Sequence, residues 1–145
     1  MLRPQREKSA TPKGIYVLII RLDSDASIKV GAVGQKTFQK GRYAYVGSAQ
    51  KNLEQRVKRH LRRKKCKFWH IDYLLGSDSA EVINVLFKQG SKAEECRVAG
   101  EISKKGEAVS GFGCSDCNCK SHLFRIGDFR FLQATLREFS HLSGF

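Results

Sequence analysis

The chain has 145 residues, 27 Lys and Arg against 14 Asp and Glu, a formal charge of +13, and 41% hydrophobic residues. This size and apolar content suit one domain with its own core and exclude a disordered chain, while the charge makes a polyanion, nucleic acid first, the expected partner. No apolar run approaches the roughly 20 residues that cross a bilayer, and no secretory signal precedes residue 14, so the expectation is no membrane and a cytoplasmic, nucleoid-associated protein.

Residues 1–13, with Pro4 and Pro12 among basic side chains, read as a flexible basic arm, and residues 14–145 as a single domain. Residues 14–22 form an almost unbroken apolar run rich in Ile and Val, too short for an isolated helix and typical of a central strand buried on both faces. Residues 23–27 read as a turn, 28–33 as a short strand and 34–40 as a loop. Tyr43 and Tyr45 then alternate with Ala44 and Val46, which predicts a second main strand over 41–47 with both phenols on one face. Asn52 with Gln55 resembles a capping box, and Leu53, Val57 and Leu61 recur every fourth residue, predicting a helix over 52–63. On a wheel of about 100° per residue, Arg56 and His60 fall beside the apolar stripe, with Lys58, Arg59 and Arg62 opposite. Residues 68–75 read as a short helix carrying Trp69, 82–87 as a third strand, 93–104 as another helix, and 106–120 as a glycine- and cysteine-rich loop. An edge strand is expected at 122–126. Leu132, Leu136 and Phe139 sit at helical spacing, so a closing helix is expected over 131–142. The result is an α/β fold, a small and mostly antiparallel sheet flanked by helices.

Three groups of residues carry chemistry. Between residues 51 and 67 stand Lys51, Arg56, Lys58, Arg59, Arg62, Arg63, Lys64, Lys65 and Lys67 against the single acid Glu54. A solvated helix face normally mixes signs, so this imbalance points to a phosphate-binding surface. Phe68 and Trp69 follow and suit base stacking, although Trp69 reads better as core. The second group is the helix over 93–104, where Glu95 falls on the inward face with Val98, Ala99 and Ile102, while Glu94 and Glu101 face outward near Arg97 and Lys105. An inward carboxylate is either paired, for instance with an Arg, or a metal ligand. The third is Cys114, Cys117, Cys119 and His122, whose spacing can supply thiolates and an imidazole to zinc. No second cysteine pair accompanies it, so reduced, packed cysteines shaping the loop are the preferred reading over structural zinc. Tyr16 and Tyr45 read by residue type as core aromatics. To take a proton from an attacking water, a phenol needs its pKa lowered by nearby cations.

Gly14-Ile15-Tyr16 and Tyr45-Val46-Gly47, followed in order by Ser48-Ala49, Leu53, Arg56 and His60, resemble the strand, loop and helix signatures of the GIY-YIG nuclease superfamily. Trp69-His70-Ile71-Asp72-Tyr73-Leu74, Glu95-Cys96, Phe112-Gly113-Cys114-Ser115-Asp116-Cys117 and Ser121-His122-Leu123-Phe124 resemble one branch of it, a domain of unknown function sometimes fused to endonuclease III. The resemblance implies a metal-dependent, structure-selective DNA endonuclease, with a place in DNA repair. It implies Tyr16 as general base, Tyr45 and His60 as positioning groups, Arg56 on the scissile phosphate, and Glu95 holding Mg²⁺ or Mn²⁺. The rival expectation is a non-catalytic DNA- or RNA-binding module that keeps the scaffold.

Overall fold

The computed structural model describes residues 13–49, 51–62, 67, 69–112 and 121–138. Its centre is β1 (Gly14–Leu22), in which every residue but Arg21 is buried, as the unbroken apolar run predicts. Along one side β4 (Gly41–Ala49) pairs with the full length of β1, from Gly14 opposite Ala49 to Leu22 opposite Gly41. Along the other lies β5 (Ala80–Lys88), with a register shift between Ile19 and Ile20. Two-residue β6 (Glu107–Ala108), then β7 (Leu123–Ile126), extend the sheet beyond β4, and β8 (Arg137–Glu138) closes the edge at β5. Among the described residues the sheet order is β6-β7-β4-β1-β5-β8, with every pairing antiparallel.

Because side chains alternate along β1, its two faces feed two cores. Tyr16, Leu18, Ile20 and Leu22 pack with Tyr43 and Tyr45 beneath α1 (Leu53–Leu61) and α2 (His70–Leu75). Ile15, Val17 and Ile19 pack with Ala44, Val46 and Leu86 beneath Val98, Ala99 and Ile102 of α3 (Lys92–Ser103), together with Leu132 and Leu136. Helix α1 starts where the sequence places it, since Asn52 accepts the Gln55 amide at 3.1 Å. The fold is therefore the expected α/β domain, with a mainly antiparallel sheet between helices.

Four elements differ from expectation. Residues 34–40 are not a loop: β2 (Ala26–Val30) and β3 (Gly34–Phe38) form a separate hairpin, joined by a 3₁₀ turn at Gly31–Val33 with Gly31 and Gly34 at φ 48° and 95°. Only Val30 and Phe38 are buried in it, so its polar outer residues hid the strand periodicity. Residues 122–126 are not an edge strand, because β6 covers β7. The first residues after Gly106 accordingly belong to the sheet rather than to the predicted loop. Of the closing helix expected over 131–142, residues 139–142 with Phe139 lie outside the described residues; before them the apolar pair Leu132 and Leu136 is buried by the single turn α4 (Arg130–Gln133) and the turn after it. The chain then pairs with β5, which covers backbone groups a helix would leave bare. No helix among the described residues is long and apolar enough to cross a membrane.

Candidate active site

Tyr16 stands opposite Gly47 in the β1–β4 ladder, with its ring lying across the glycine. A Cβ on residue 47 would overlap the phenol, so the absence of a side chain there is what lets Tyr16 lie flat against the strand. The Tyr16 hydroxyl is 2.7 Å from Nε2 of His60, which α1 buries on the same face as Leu53 and Val57. Tyr45 completes the aromatic group, with ring centroids 6.5 Å from Tyr16 and 6.0 Å from His60. Trp69, immediately before α2, lies 5.7 Å from the His60 ring.

Burial pushes the Tyr16 pKa well above the usual phenol value, and the neighbouring Tyr45 adds to the rise. The charge and hydrogen bond of Arg56 oppose it without prevailing. Tyr45 is raised in the same direction by burial and then by the Glu95 carboxylate. In the unliganded chain desolvation outweighs one cation, so Tyr16 lacks the lowered pKa that a proton acceptor needs and keeps its proton at neutral pH.

Arg56 leans over the end of β4, as the wheel predicts. It donates to the Ser48 carbonyl at 3.1 Å, and its Cζ lies 4.7 Å from the Trp69 ring centroid. Arg59, one turn further on, does not face solvent opposite the stripe. Its guanidinium holds the buried Asp72 carboxylate in a two-armed contact of 3.1 and 3.0 Å and packs 4.5 Å from the same indole. Helix α2 packs against this flank of α1, so a long planar side chain finds both a carboxylate and an aromatic face there.

Glu95 is buried in the first turn of α3. One carboxylate oxygen accepts from Ser48 Oγ at 2.8 Å and the other lies 2.9 Å from His122 Nδ1. Of the two alternatives for an inward carboxylate, pairing is met here by a hydroxyl and an imidazole rather than by an Arg. Glu94 and Glu101 face outward as expected, both bound by Arg97, and the Arg97 and Lys88 hydrogen bonds hold Glu94 down to about 2. Ser48 thereby joins the two halves: its side chain binds Glu95 and its carbonyl binds Arg56. Sequence reasoning passed over both Ser48 and Asp72 as site residues. For Ser48 the signal is the strand period, which turns residue 48 away from the face of Gly47 and toward α3. For Asp72 it is an acid three residues after the helix start, where it accepts the Trp69 amide at 2.9 Å.

A single buried carboxylate with a hydroxyl and an imidazole is not a protein cage for a cation. Among the described residues no three His, Cys, Asp or Glu side chains converge as metal ligands. A carboxylate nevertheless offers about four lone-pair positions, and magnesium characteristically takes one or two carboxylates and completes its shell with water and substrate phosphate. Glu95 fits that mode. Cys114, Cys117 and Cys119 lie outside the described residues, so the zinc reading of their loop stays with the sequence; His122 Nδ1 is turned to Glu95.

Beside Arg56 a groove of about 940 Å³ runs along α1, lined by Lys51, Asn52, Gln55, Lys58 and Arg62 among others. Glu54, the single acid of this stretch, sits 3.4 Å from Lys58. Lys67 instead lies over the Tyr73 ring, and Arg63, Lys64, Lys65 and Phe68 fall outside the described residues. Over residues 15–144 the chain matches the family model described as "Domain of unknown function DUF123", and it belongs to that family. No curated protein and no solved structure matches it.

Proposed function

We propose that this DUF123 family member is a metal-dependent, structure-selective DNA endonuclease of GIY-YIG type. The observation that carries the reading is convergence: Tyr16, His60 and Arg56 meet at the end of β4, Ser48 ties Glu95 to that same end, and a basic groove opens beside Arg56.

In this reading the scissile phosphate lies on the Arg56 guanidinium, a planar donor set suited to two phosphate oxygens, while groove lysines hold the flanking backbone. The attacking water gives its proton to the Tyr16 oxygen. A phenol with a raised pKa must first release its own proton, and His60 Nε2 at 2.7 Å is placed to take it. Phosphate bound near Arg56 leaves that cation less free to stabilise a phenolate, so the proton on His60 is the compensating charge. A Mg²⁺ or Mn²⁺ ion held by Glu95 would neutralise charge on the departing oxygen. Tyr45, across the ring cluster, keeps the pocket dry and the phenol in line.

The test is incubation of the chain with duplex, nicked and branched DNA, and with matched RNA, in Mg²⁺ or Mn²⁺. Cutting of branched or nicked DNA above plain duplex is the expected result. A second reading has its own observation: Glu95 is already satisfied by Ser48 and His122, as in a scaffold that only binds. Tight binding to the same panel without cutting, with either metal, would favour that module, and preference for 2′-hydroxyl substrates would make it an RNA binder.

A further inference from the structure

We infer that Asp72 is a positioning residue for the Arg56 guanidinium, acting through Arg59 and Trp69. Asp72 is 1% exposed, and its carboxylate accepts from both terminal nitrogens of Arg59 and from the backbone N–H of Trp69. The Asp72 amide in turn donates to the Trp69 carbonyl at 3.0 Å. One side chain therefore pins α1 to the start of α2 and fixes the indole between them. On that indole rest two guanidiniums, Arg59 at 4.5 Å and Arg56 at 4.7 Å.

Capping α2 needs only the Trp69 N–H contact, so the fork to Arg59 calls for a different account. Arg56 and Arg59 are three residues apart and share one flank of the helix. Two like charges packed against one indole repel each other. Neutralising Arg59 with a buried carboxylate removes the repulsion and holds the Trp69 ring as a wall. Arg56 is left with its position set by the indole, the Ser48 carbonyl and the Tyr16 hydroxyl, and among the described residues no carboxylate pairs with its charge. The inference rests on the nuclease reading only for what Arg56 does; the positioning itself is a property of the unliganded chain.

The experiment follows the Arg56 side chain directly, through rotation about its guanidinium C–N bond measured by nitrogen-15 NMR on the full chain without ligand. In Asp72→Asn, which keeps an oxygen for the Trp69 N–H but loses the charge and one arm of the fork, Arg56 rotation should accelerate about ten-fold, the scale of one lost charge-assisted contact. Leu74→Ala, a core truncation in α2, supplies the structural control and should leave Arg56 unchanged. Unaltered Arg56 rotation in a folded Asp72→Asn overturns the inference, as does equal acceleration in Leu74→Ala. If Asp72→Asn does not fold, Arg59→Lys carries the test, because it keeps the charge pair while removing the planar fork; Arg56 must again loosen, and unchanged rotation overturns the inference. On a cleavable substrate, Asp72→Asn should lower kcat about ten-fold at unchanged KM, whereas a rise confined to KM would count against positioning. A wild-type chain that cuts nothing removes the nuclease reading and leaves the NMR result to decide this one.

Discussion

The two faces of β1 are built from opposite materials. Between the sheet and α1 and α2 lie Tyr16 and Tyr45 from the strands and His60 and Trp69 from the helical side, rings that exclude water and raise the phenol pKa values, with guanidiniums stacked at the rim. Between the sheet and α3 lie mainly aliphatic side chains, with Phe124 beside them, and the Glu95 carboxylate of α3, which Ser48 and His122 contact. Neither face alone has the parts of a hydrolytic site. One can shuttle a proton and hold phosphate, and the other can hold a cation. They meet because Ser48, near the end of β4, addresses both. The lesson is that the catalytic proposal depends less on any one residue than on the strand end being shared, and each experiment below tests that sharing.

The largest effect is expected from the carboxylate side. Glu95→Gln keeps the Ser48 contact but removes the charge a hard cation needs. Cleavage should fall by about two orders of magnitude or more in single-turnover assays, with DNA affinity retained. Glu101→Gln, outward and bound to Arg97, should cut like wild type. The reverse pattern would separate the α3 face from the site altogether.

Next comes the packing between the faces of the signature strands. Gly47→Ala drives a methyl into the Tyr16 ring, an overpacking that should cost about 1–3 kcal/mol and shift the phenol away from His60. Gly100→Ala in α3 meets nothing within 4 Å and should instead stabilise by about 0.5–1 kcal/mol, by removing helix-interior glycine. Thermal or denaturant unfolding of the pair reads both signs. A neutral Gly47→Ala would mean the ring has room, and that the glycine serves something other than Tyr16.

These contrasts also explain what the sequence revealed. The long strands and both main helices were legible because apolar residues recur with clear periods, and the wheel placed Arg56, Glu95, Glu94 and Glu101 correctly. What stayed hidden was set by neighbours in space. Arg59 looked solvated until α2 brought Asp72 and Trp69 against it, and Ser48 gains its role only when α3 crosses the strand end. The hairpin β2–β3 was read partly as loop because its outer face is polar, and over the described residues the closing helix was overextended because α4 and the turn after it already bury Leu132 and Leu136. The direction of the Tyr16 pKa was hidden for a related reason: nearness to a cation is inferable from motif order, but the depth of burial that outweighs it is a property of the packed domain.

The pH dependence of stability should differ between the faces. Tyr16, Tyr45 and Tyr43 all have folded pKa values raised above the unfolded phenol value, chiefly by burial, so the fold prefers the neutral form. Their contribution is complete below about pH 10 and is lost as pH rises beyond it, because the unfolded chain then ionises first. On the α3 side Glu94 is lowered to about 2, so its smaller contribution is present above the ordinary glutamate range and fades as pH falls through it. Denaturant midpoints from pH 8 to 11 should therefore drop on the alkaline side, and Tyr16→Phe should blunt that drop. An unchanged alkaline limb in Tyr16→Phe would place the ring in a wetter setting than its burial implies.

The smallest effect belongs to the groove, where the aromatic face opens to solvent. Among its lining residues, Lys51, Lys58 and Arg62 are cations whose substitution leaves the Tyr16–His60 contact and the Arg59–Asp72 fork intact. If they contact DNA phosphates, each displaces condensed counterions, and each lost contact should flatten the slope of log affinity against log salt by about 0.9. Replacing all three with Ala should therefore shift the slope measurably while changing melting temperature little, since none supports the core. Affinity should fall about equally for all sequences of a given shape, because phosphate contacts position the duplex without reading bases. The comparison sharpens when the same titration is run on Glu95→Gln. That variant should show the wild-type slope, because it removes no cation from the groove. A Glu95→Gln slope that moved as far as the triple variant's would mean that the carboxylate, and not the groove along α1, governs how DNA is held.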